Sequence, residues 1–257
     1  VVQTPWPELD DVLNGGLLKG ELVVVAARPG VGKSIIGLSC ARAAAQLDIP
    51  TIVFSLEMPK EEVLARLVAD TATVPLRHLI RHELDIDDHA RVLRCADRIR
   101  DWPLAIHDTP SITVAEISAI CRERVRRHNL GLVVIDQLNL ITTTGPKNAS
   151  RQEQVSTMSR QLTVLAKELG IPIVLLHQLN RGPEQRANNR PVMADLRETG
   201  QIEADAHKVL LLWRPEDEPG NLTVIVAKNR NGRTAEIPLS FSGHYARARS
   251  GDFERLM

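Results

Sequence analysis

Lys33 and Ser34, set behind Gly30 and Gly32 in the run Ala27-Arg28-Pro29-Gly30-Val31-Gly32-Lys33-Ser34, have the types and spacing to hold nucleotide phosphates. Glycines let the backbone fold around an anion, and N–H groups at the start of a helix beginning at Lys33 point at phosphate oxygens. Lys33 would reach the β- and γ-phosphates. The Ser34 hydroxyl is short enough to sit on a magnesium ion bridging the same oxygens. The phosphate-cradling set is Arg28, Pro29, Gly30, Val31, Gly32, Lys33, Ser34 and Ile35. Ala27 stands where the strict pattern has its first glycine. The competing explanation is a tight glycine turn that binds nothing, but the Gly-Lys-Ser ending behind the apolar run Leu22–Ala26 satisfies the context that phosphate binding demands.

Three further polar residues close apolar runs. Asp136, after Leu132–Ile135, can hold magnesium through a water opposite Ser34, or can simply cap the next turn. Glu57, after Thr51–Leu56, can orient and deprotonate the water that attacks a γ-phosphate, since hydrolysis needs a base near the metal but not on it. Gln178, after Ile173–His177, carries an amide that could sense the γ-phosphate and pass its presence to the loop that follows. His177 and Gln178 could instead be ordinary polar residues leaving a core strand, which is the preferred reading for His177.

Short β-branched runs alternate with longer amphipathic stretches at the spacing of βαβ units. Strands are expected at Leu22–Ala26, Thr51–Leu56, Leu104–Ile106, Leu132–Asp136, Ile173–His177, Val209–Trp213, Leu222–Ala227 and Glu236–Phe241. Helices are expected at Lys33–Leu47, Pro59–Thr71, Asp88–Arg100, Val114–Asn129 and Arg151–Leu169. Thr113 with Glu116 and Ser150 with Glu153 form capping boxes, and Pro59 suits a first helical position. The fold class is therefore α/β: a mostly parallel, twisted sheet flanked by helices, with the last strands forming an antiparallel extension because no helices separate them. Open sheets of this kind place ligands where the parallel strands end, which is where these chemical residues fall. No internal repeat or linker divides the chain, so residues 1–257 are expected to form a single domain.

Formal net charge is zero, so no global positive field points to nucleic acid, and a DNA site must be local. Arginines cluster from Arg181 to Arg197, a pattern that equally describes a solvated face. No apolar stretch approaches membrane-spanning length and no signal pattern opens the chain, so a cytoplasmic protein is expected. Cys40, Cys95 and Cys121 are scattered and read as reduced core or near-core thiols. Neither they nor the 8 histidines show zinc-site spacing.

Six segments, in this order, resemble the successive motifs of the replicative DnaB-family helicases. They are the loop ending in Lys33-Ser34, Ser55-Leu56-Glu57-Met58, Val133-Val134-Ile135-Asp136, Gln178 through Arg186, Asp195-Leu196-Arg197-Glu198-Thr199-Gly200, and Ala227-Lys228-Asn229-Arg230-Asn231-Gly232. The resemblance spans nearly the whole chain. It implies a RecA-like P-loop ATPase core, with ATP and Mg2+ as ligands, that assembles as a hexameric ring around single-stranded DNA and works with other replication proteins. It makes Lys33, Ser34, Glu57, Asp136 and Gln178 the nucleotide-processing set of one subunit. Lys228 and Arg230 become the basic pair that reaches into a neighbour's site, where a guanidinium neutralises developing phosphate charge. Arg197, Glu198 and Gly200 become the loop that touches DNA phosphates.

A polar hairpin end would account for Asn231-Gly232 but not for the two cations before it. After Asp136 the family commonly has an aromatic residue and then Leu-Gln, whereas Gln137-Leu138-Asn139 stands here. The family's separate helical domain and linker helix have no counterpart in the sequence, as expected of an excised motor domain or a minimal, viral-type relative. Leu9-Asp10 through Gly15-Gly16-Leu17 and the Lys-Asn-Arg segment also resemble RadA-type recombination ATPases. The alternatives to an ATP-driven translocase are thus a recombination or structure-specific DNA-processing ATPase, and a nucleotide-gated loader that does not unwind. The presence of Glu57 argues against the loader, since a pure switch needs no base.

Overall fold

The computed structural model describes residues 1–143, 150–180, 186 and 188–251, with the backbone alone for 197–200. β1 (Leu22–Ala27), β2 (Thr51–Ser55), β3 (Leu104–His107), β4 (Leu132–Asp136), β5 (Ile173–Gln178) and β6 (Lys208–Trp213) run parallel. β7 (Asn221–Asn229), β8 (Ala235–Ser242) and β9 (Arg247–Ser250) continue the same sheet antiparallel from β6. The strand order is β3-β2-β4-β5-β1-β6-β7-β8-β9.

The two halves differ in covering, and their sequences differ accordingly. Every residue of β1, β2 and β4 is buried, because helices cover both faces, and the strands read as unbroken apolar runs. Along β1 alternate side chains serve opposite faces. Val23, Val25 and Ala27 pack with Ile36, Ala41 and Ala44 of α2 (Lys33–Gln46). Leu22, Val24 and Ala26 join Ile117 of α6 (Val114–His128) and Leu162 of α7 (Arg151–Leu169) on the other face. In β7 and β8 burial alternates, with Leu222, Val224, Val226, Ile237 and Leu239 inward. Each such fully buried aliphatic side chain contributes roughly 1.5–3 kcal/mol.

Both capping boxes are formed, at Thr113 and Ser150, and α7 has the expected bounds. Pro59 is not the first helical residue; it is the extended N-cap of α3 (Lys60–Ala72). Helix α5 (Ile86–Asp101) starts two residues before the expected Asp88, because the Asp85 side chain accepts from the Asp88 backbone and caps it there. Four short elements lack a sequence signal: α1 (Pro7–Val12), α4 (Leu76–Arg81), α8 (Gly200–Asp205) and β9. β9 reads Arg-Ala-Arg-Ser, with charge in place of apolar alternation, as suits an edge strand. Its Arg247 is buried and bonds the carboxylate and carbonyl of Asp70 and the Thr73 hydroxyl, at the far end of α3. Among the described residues no helix is long and apolar enough to cross a membrane. All three cysteines are free and buried.

Candidate nucleotide site

Three strand ends converge beside the glycine loop because the parallel register sets them within two residues of one level. Ala27 of β1 pairs with Gln178 of β5, Asp136 of β4 pairs with Leu176 one turn of the pleat below, and Ser55 of β2 pairs with Asp136. Ala27, at the position of the missing first glycine, is the last residue of β1, fully buried and without a left-handed backbone, so a Cβ fits there. The glycines that follow are needed. Gly30 has φ 75° and Gly32 has φ 122°, and a Cβ on Gly32 would lie 2.8 Å from the Phe241 ring. Helix α2 starts with Gly32 as its N-cap, leaving its first N–H groups facing the cleft.

Lys33, 8% exposed, points its ammonium at Asp136, with Nζ to Oδ1 at 2.5 Å, and lies 3.7 Å from Glu57 Oε2. A buried ammonium requires such partners when no phosphate is bound. Asp136 is 3% exposed, and its Oδ2 has no hydrogen-bond partner among the described residues. That orphaned oxygen fits a divalent ion or its bound water. Among the described residues no cluster of three acidic, histidine or cysteine side chains could hold a metal by itself. Magnesium suits such a sparse donor set, because it keeps several waters and takes its remaining ligands from phosphates. Glu57 is half-exposed on a turn pinned by the Ser55 hydroxyl donating to Met58 O at 2.7 Å.

The cleft, about 520 Å³, is lined by Arg28, Pro29 and Gly30 and by Gly32 to Ile35, together with Glu57 and Gln178. Gln178 also lines a second cavity of about 530 Å³ with Asn139, Arg151, His177, Asn180 and Asp195. It stands in the wall between the two. His177 lies deep in that wall: burial, and then the nearby Lys33 and Arg151 charges, lower its pKa to about 4, so its ring is neutral at pH 7. Arg28 of the glycine loop donates to the carbonyls of Leu179 and Asn180 at 3.1 Å each, tying the phosphate loop to the chain just beyond Gln178. Where the family pattern has an aromatic residue, Gln137 is buried, and Leu138 after it is fully enclosed.

Sequence reasoning missed several cleft residues. Arg66 and Glu62 of α3 line one wall and pair with each other at 2.6 Å. Arg214 after β6 and Phe241 of β8 line another: the guanidinium lies 4.8 Å over the ring centroid and donates to Gly30 O at 3.0 Å. Only the rarity of aromatics, 3 phenylalanines in all, could have drawn attention to Phe241.

Lys228 and Arg230 do not line this cleft. Asn229 pairs with Lys208, which is level with Val23 at the start of β1. Four strand steps, roughly 13 Å, separate that level from Ala27. Both cations lie at the opposite end of the strands, where the parallel ones begin, and donate to backbone carbonyls of α8. Arg197, Glu198 and Gly200 have their backbone on the 3-10 turn Met193–Thr199 and the first position of α8, and their side chains lie outside the described residues. So do Arg181 and residues 182–185. The two arginines of the cluster whose side chains are described, Arg186 and Arg190, are paired and about a third exposed. Arg186 grips Asp195 through two bonds of 2.8 and 2.9 Å, while Arg190 pairs with Glu236 and lies 4.9 Å over the Trp213 ring. Burial works against the Asp195 charge, but Arg186 and the Val192 N–H outweigh it and hold the carboxyl below its usual range.

The sequence profile of the DnaB-like helicase C-terminal domain matches residues 1–250. The chain is 47% identical over 253 residues to the replicative DNA helicase DnaB of Leifsonia xyli subsp. xyli, covering 96% of this chain and 55% of that protein. It is 37% identical over 251 residues to the replicative DNA helicase DnaC of Bacillus subtilis, covering 95% and 55%. It therefore spans about half the length of the curated relatives it matches. Among solved structures, one of an ATPase domain superposes with a TM-score of 0.92 at 30% identity, covering 98% of this chain and 91% of that one. A DnaB-like replicative helicase studied for its interactions with primase gives 0.91 at 30% identity, covering 96% and 61%. By profile, sequence identity and fold, the chain belongs to the family of DnaB-like helicase C-terminal domains, whose members bind nucleotide.

Proposed function

We propose that this chain is the ATP-hydrolysing motor of a replicative DNA helicase, acting on single-stranded DNA as a ring whose active sites lie between subunits. The observation that carries this reading is the division of the site. Lys33, Glu57, Asp136 and Gln178 meet where the parallel strands end, while Lys228 and Arg230 stand at the level where those strands begin. A neighbouring copy could supply the two missing cations.

In this reading the backbone N–H groups from Gly30 to Ile35 and the Lys33 ammonium hold the β- and γ-phosphates, drawing Lys33 off Asp136. Arg214 and Phe241 offer a flat cation-aromatic wall for the base. Ser34 and Asp136 would hold magnesium, which when bound screens the phosphate charge. Glu57, 3.7 Å from Lys33 and open to solvent, accepts the proton of the attacking water. Arg230 of the next subunit steadies charge developing on the γ-phosphate. Gln178, in the wall between two cavities, reports the γ-phosphate towards the segment beyond Asn180. Arg197, Glu198 and Gly200, anchored by the buried Leu196 and Ile202, contact DNA phosphates. The unbroken sheet supports residues 1–257 as one domain, and the relative studied with primase supports a primase-type partner.

The test is strand displacement of a forked duplex with and without ATP. The chain is expected to unwind only with ATP, and Glu57→Gln should retain ATP binding while hydrolysis falls about a hundredfold or more. ATP-dependent DNA binding without displacement would favour the loader, and normal hydrolysis by Glu57→Gln would remove it as the base.

A further inference from the structure

The two cations assigned to a neighbour's active site already have an occupation within their own subunit. The Lys228 ammonium donates to Glu203 O and, at 3.4 Å, to Ala204 O, and the Arg230 guanidinium donates to Ala204 O. These carbonyls belong to the last turn of α8, where a helix has no internal partner for them and where its dipole favours positive charge. Helix α8 begins at Gly200, directly behind the turn that carries Arg197 and Glu198. The same two side chains thus hold one end of the short element whose other end is the DNA-facing segment.

The backbone that bears them is fixed independently. Asn229 donates from Nδ2 to Val12 O at 2.8 Å, and Asn231 donates from Nδ2 to Glu21 Oε1 at 3.1 Å. The other oxygen of Glu21 lies 2.7 Å from Nζ of the fully buried Lys208. The turn is thus held by contacts that do not involve the Lys228 and Arg230 side chains. Burial and the adjacent Arg230 charge lower the Lys228 pKa, so the pair sits crowded against neutral carbonyls that a phosphate would outcompete.

We propose that Lys228 and Arg230 form a relay between a neighbour's nucleotide and this subunit's own DNA segment. They cap α8 while the neighbouring cleft lacks a triphosphate, and they leave α8 uncapped when a triphosphate draws them across. An event in one subunit's site then loosens the DNA segment of the next. This inference rests on the trans reading of the site, and it adds a mechanical consequence that catalysis in trans does not require.

Hydrogen exchange read by mass spectrometry tests it without a label, using peptides over residues 200–206 for α8 and over β4 as a fold control. Loss of two cap contacts should speed exchange in α8 by about three- to thirtyfold. The Lys228→Ala/Arg230→Ala chain without nucleotide should show that rise while β4 is unchanged, and Arg230→Lys, which keeps a cation, should stay near the parent. The parent chain, first shown by light scattering to be oligomeric, should show the same rise with magnesium and a non-hydrolysable ATP analogue, although its phosphate loop becomes more protected. Unchanged α8 exchange in the double variant would mean the cations do not hold the helix, and would overturn the relay. Unchanged α8 exchange on adding the analogue would also overturn it, even where subunit mixing shows Arg230 to act in trans, in which case the catalytic reading stands alone.

Discussion

Lys33→Ala should damage the nucleotide-free protein as well as its chemistry, by an amount the geometry sets. Lys33 Nζ is the partner of Asp136 Oδ1, and Oδ2 has none among the described residues, so the substitution leaves a carboxylate that is 3% exposed with neither oxygen satisfied. Breaking a buried pair from one side costs about 3–5 kcal/mol. For a domain of this size each kcal/mol moves the melting temperature by about 2–4 °C, so a fall on the order of 10 °C is expected. Asp136→Asn should cost less, about 1–2 kcal/mol, because an amide oxygen still accepts from Lys33 and because Glu57 lies 3.7 Å from the same ammonium. The double variant should melt above Lys33→Ala, a non-additivity of about 1–3 kcal/mol between touching residues. Scanning calorimetry of the four proteins without nucleotide or divalent ions measures the cycle. A Lys33→Ala melting temperature within a degree or two of the parent, or simple additivity, would refute the claim that the Asp136 side chain depends on Lys33 for its partner. The practical corollary is that lost ATP binding by Lys33→Ala must be measured well below its lowered melting temperature.

Mixing Arg230→Ala chains with Lys33→Ala chains should restore part of the ATPase at mixed interfaces; no recovery in demonstrated mixed oligomers would favour a site complete within one chain. Arg197→Ala should weaken single-strand DNA binding and reduce the slope of log affinity against log salt by about one, with basal ATPase retained, whereas an unchanged slope would take Arg197 off the DNA path. His177 gives a pH signature: its folded pKa of about 4 lies below the unfolded value of 6.5, so the unfolded chain binds the extra proton between them. Its contribution is full above pH 6.5 and lost as pH falls towards 4, about 3 kcal/mol at most. His177→Leu should flatten the denaturation-midpoint slope between pH 6.5 and 4, and an unaltered slope would show that another group sets it.

What the sequence made legible is what the chain encodes contiguously. The phosphate loop is one unbroken segment whose strand, glycines and helix start are adjacent, and Glu57, Asp136 and Gln178 could be placed together because parallel strands of one sheet end at one edge. Arg66, Arg214 and Phe241 reach the same cleft from α3, the end of β6 and β8, and nothing local marks them. Phe241 arrives only because the antiparallel extension sets β8 beside the glycine loop, seen in the contact a Gly32 Cβ would make with its ring. β9 escaped for the same reason. Arg247 is polar by type and buried in fact, and its partner Asp70 stands 177 residues away. Helix α8 is too short for periodicity, and its capping groups belong to another strand.

The enclosed thiols make the protein's surface a blank canvas for sulfur chemistry. Burial pushes Cys40 and Cys121 up to about 12 and raises Cys95 as well. Since the thiolate is the attacking species, the Cys40 and Cys121 side chains stay as the unreactive thiol at pH 7. Maleimides and mild oxidants should pass over them while the fold holds. A single cysteine placed on an exposed helix becomes the one handle a probe reads, so spin labels or fluorophores can report distances between neighbouring copies without first stripping the native sulfur from the core.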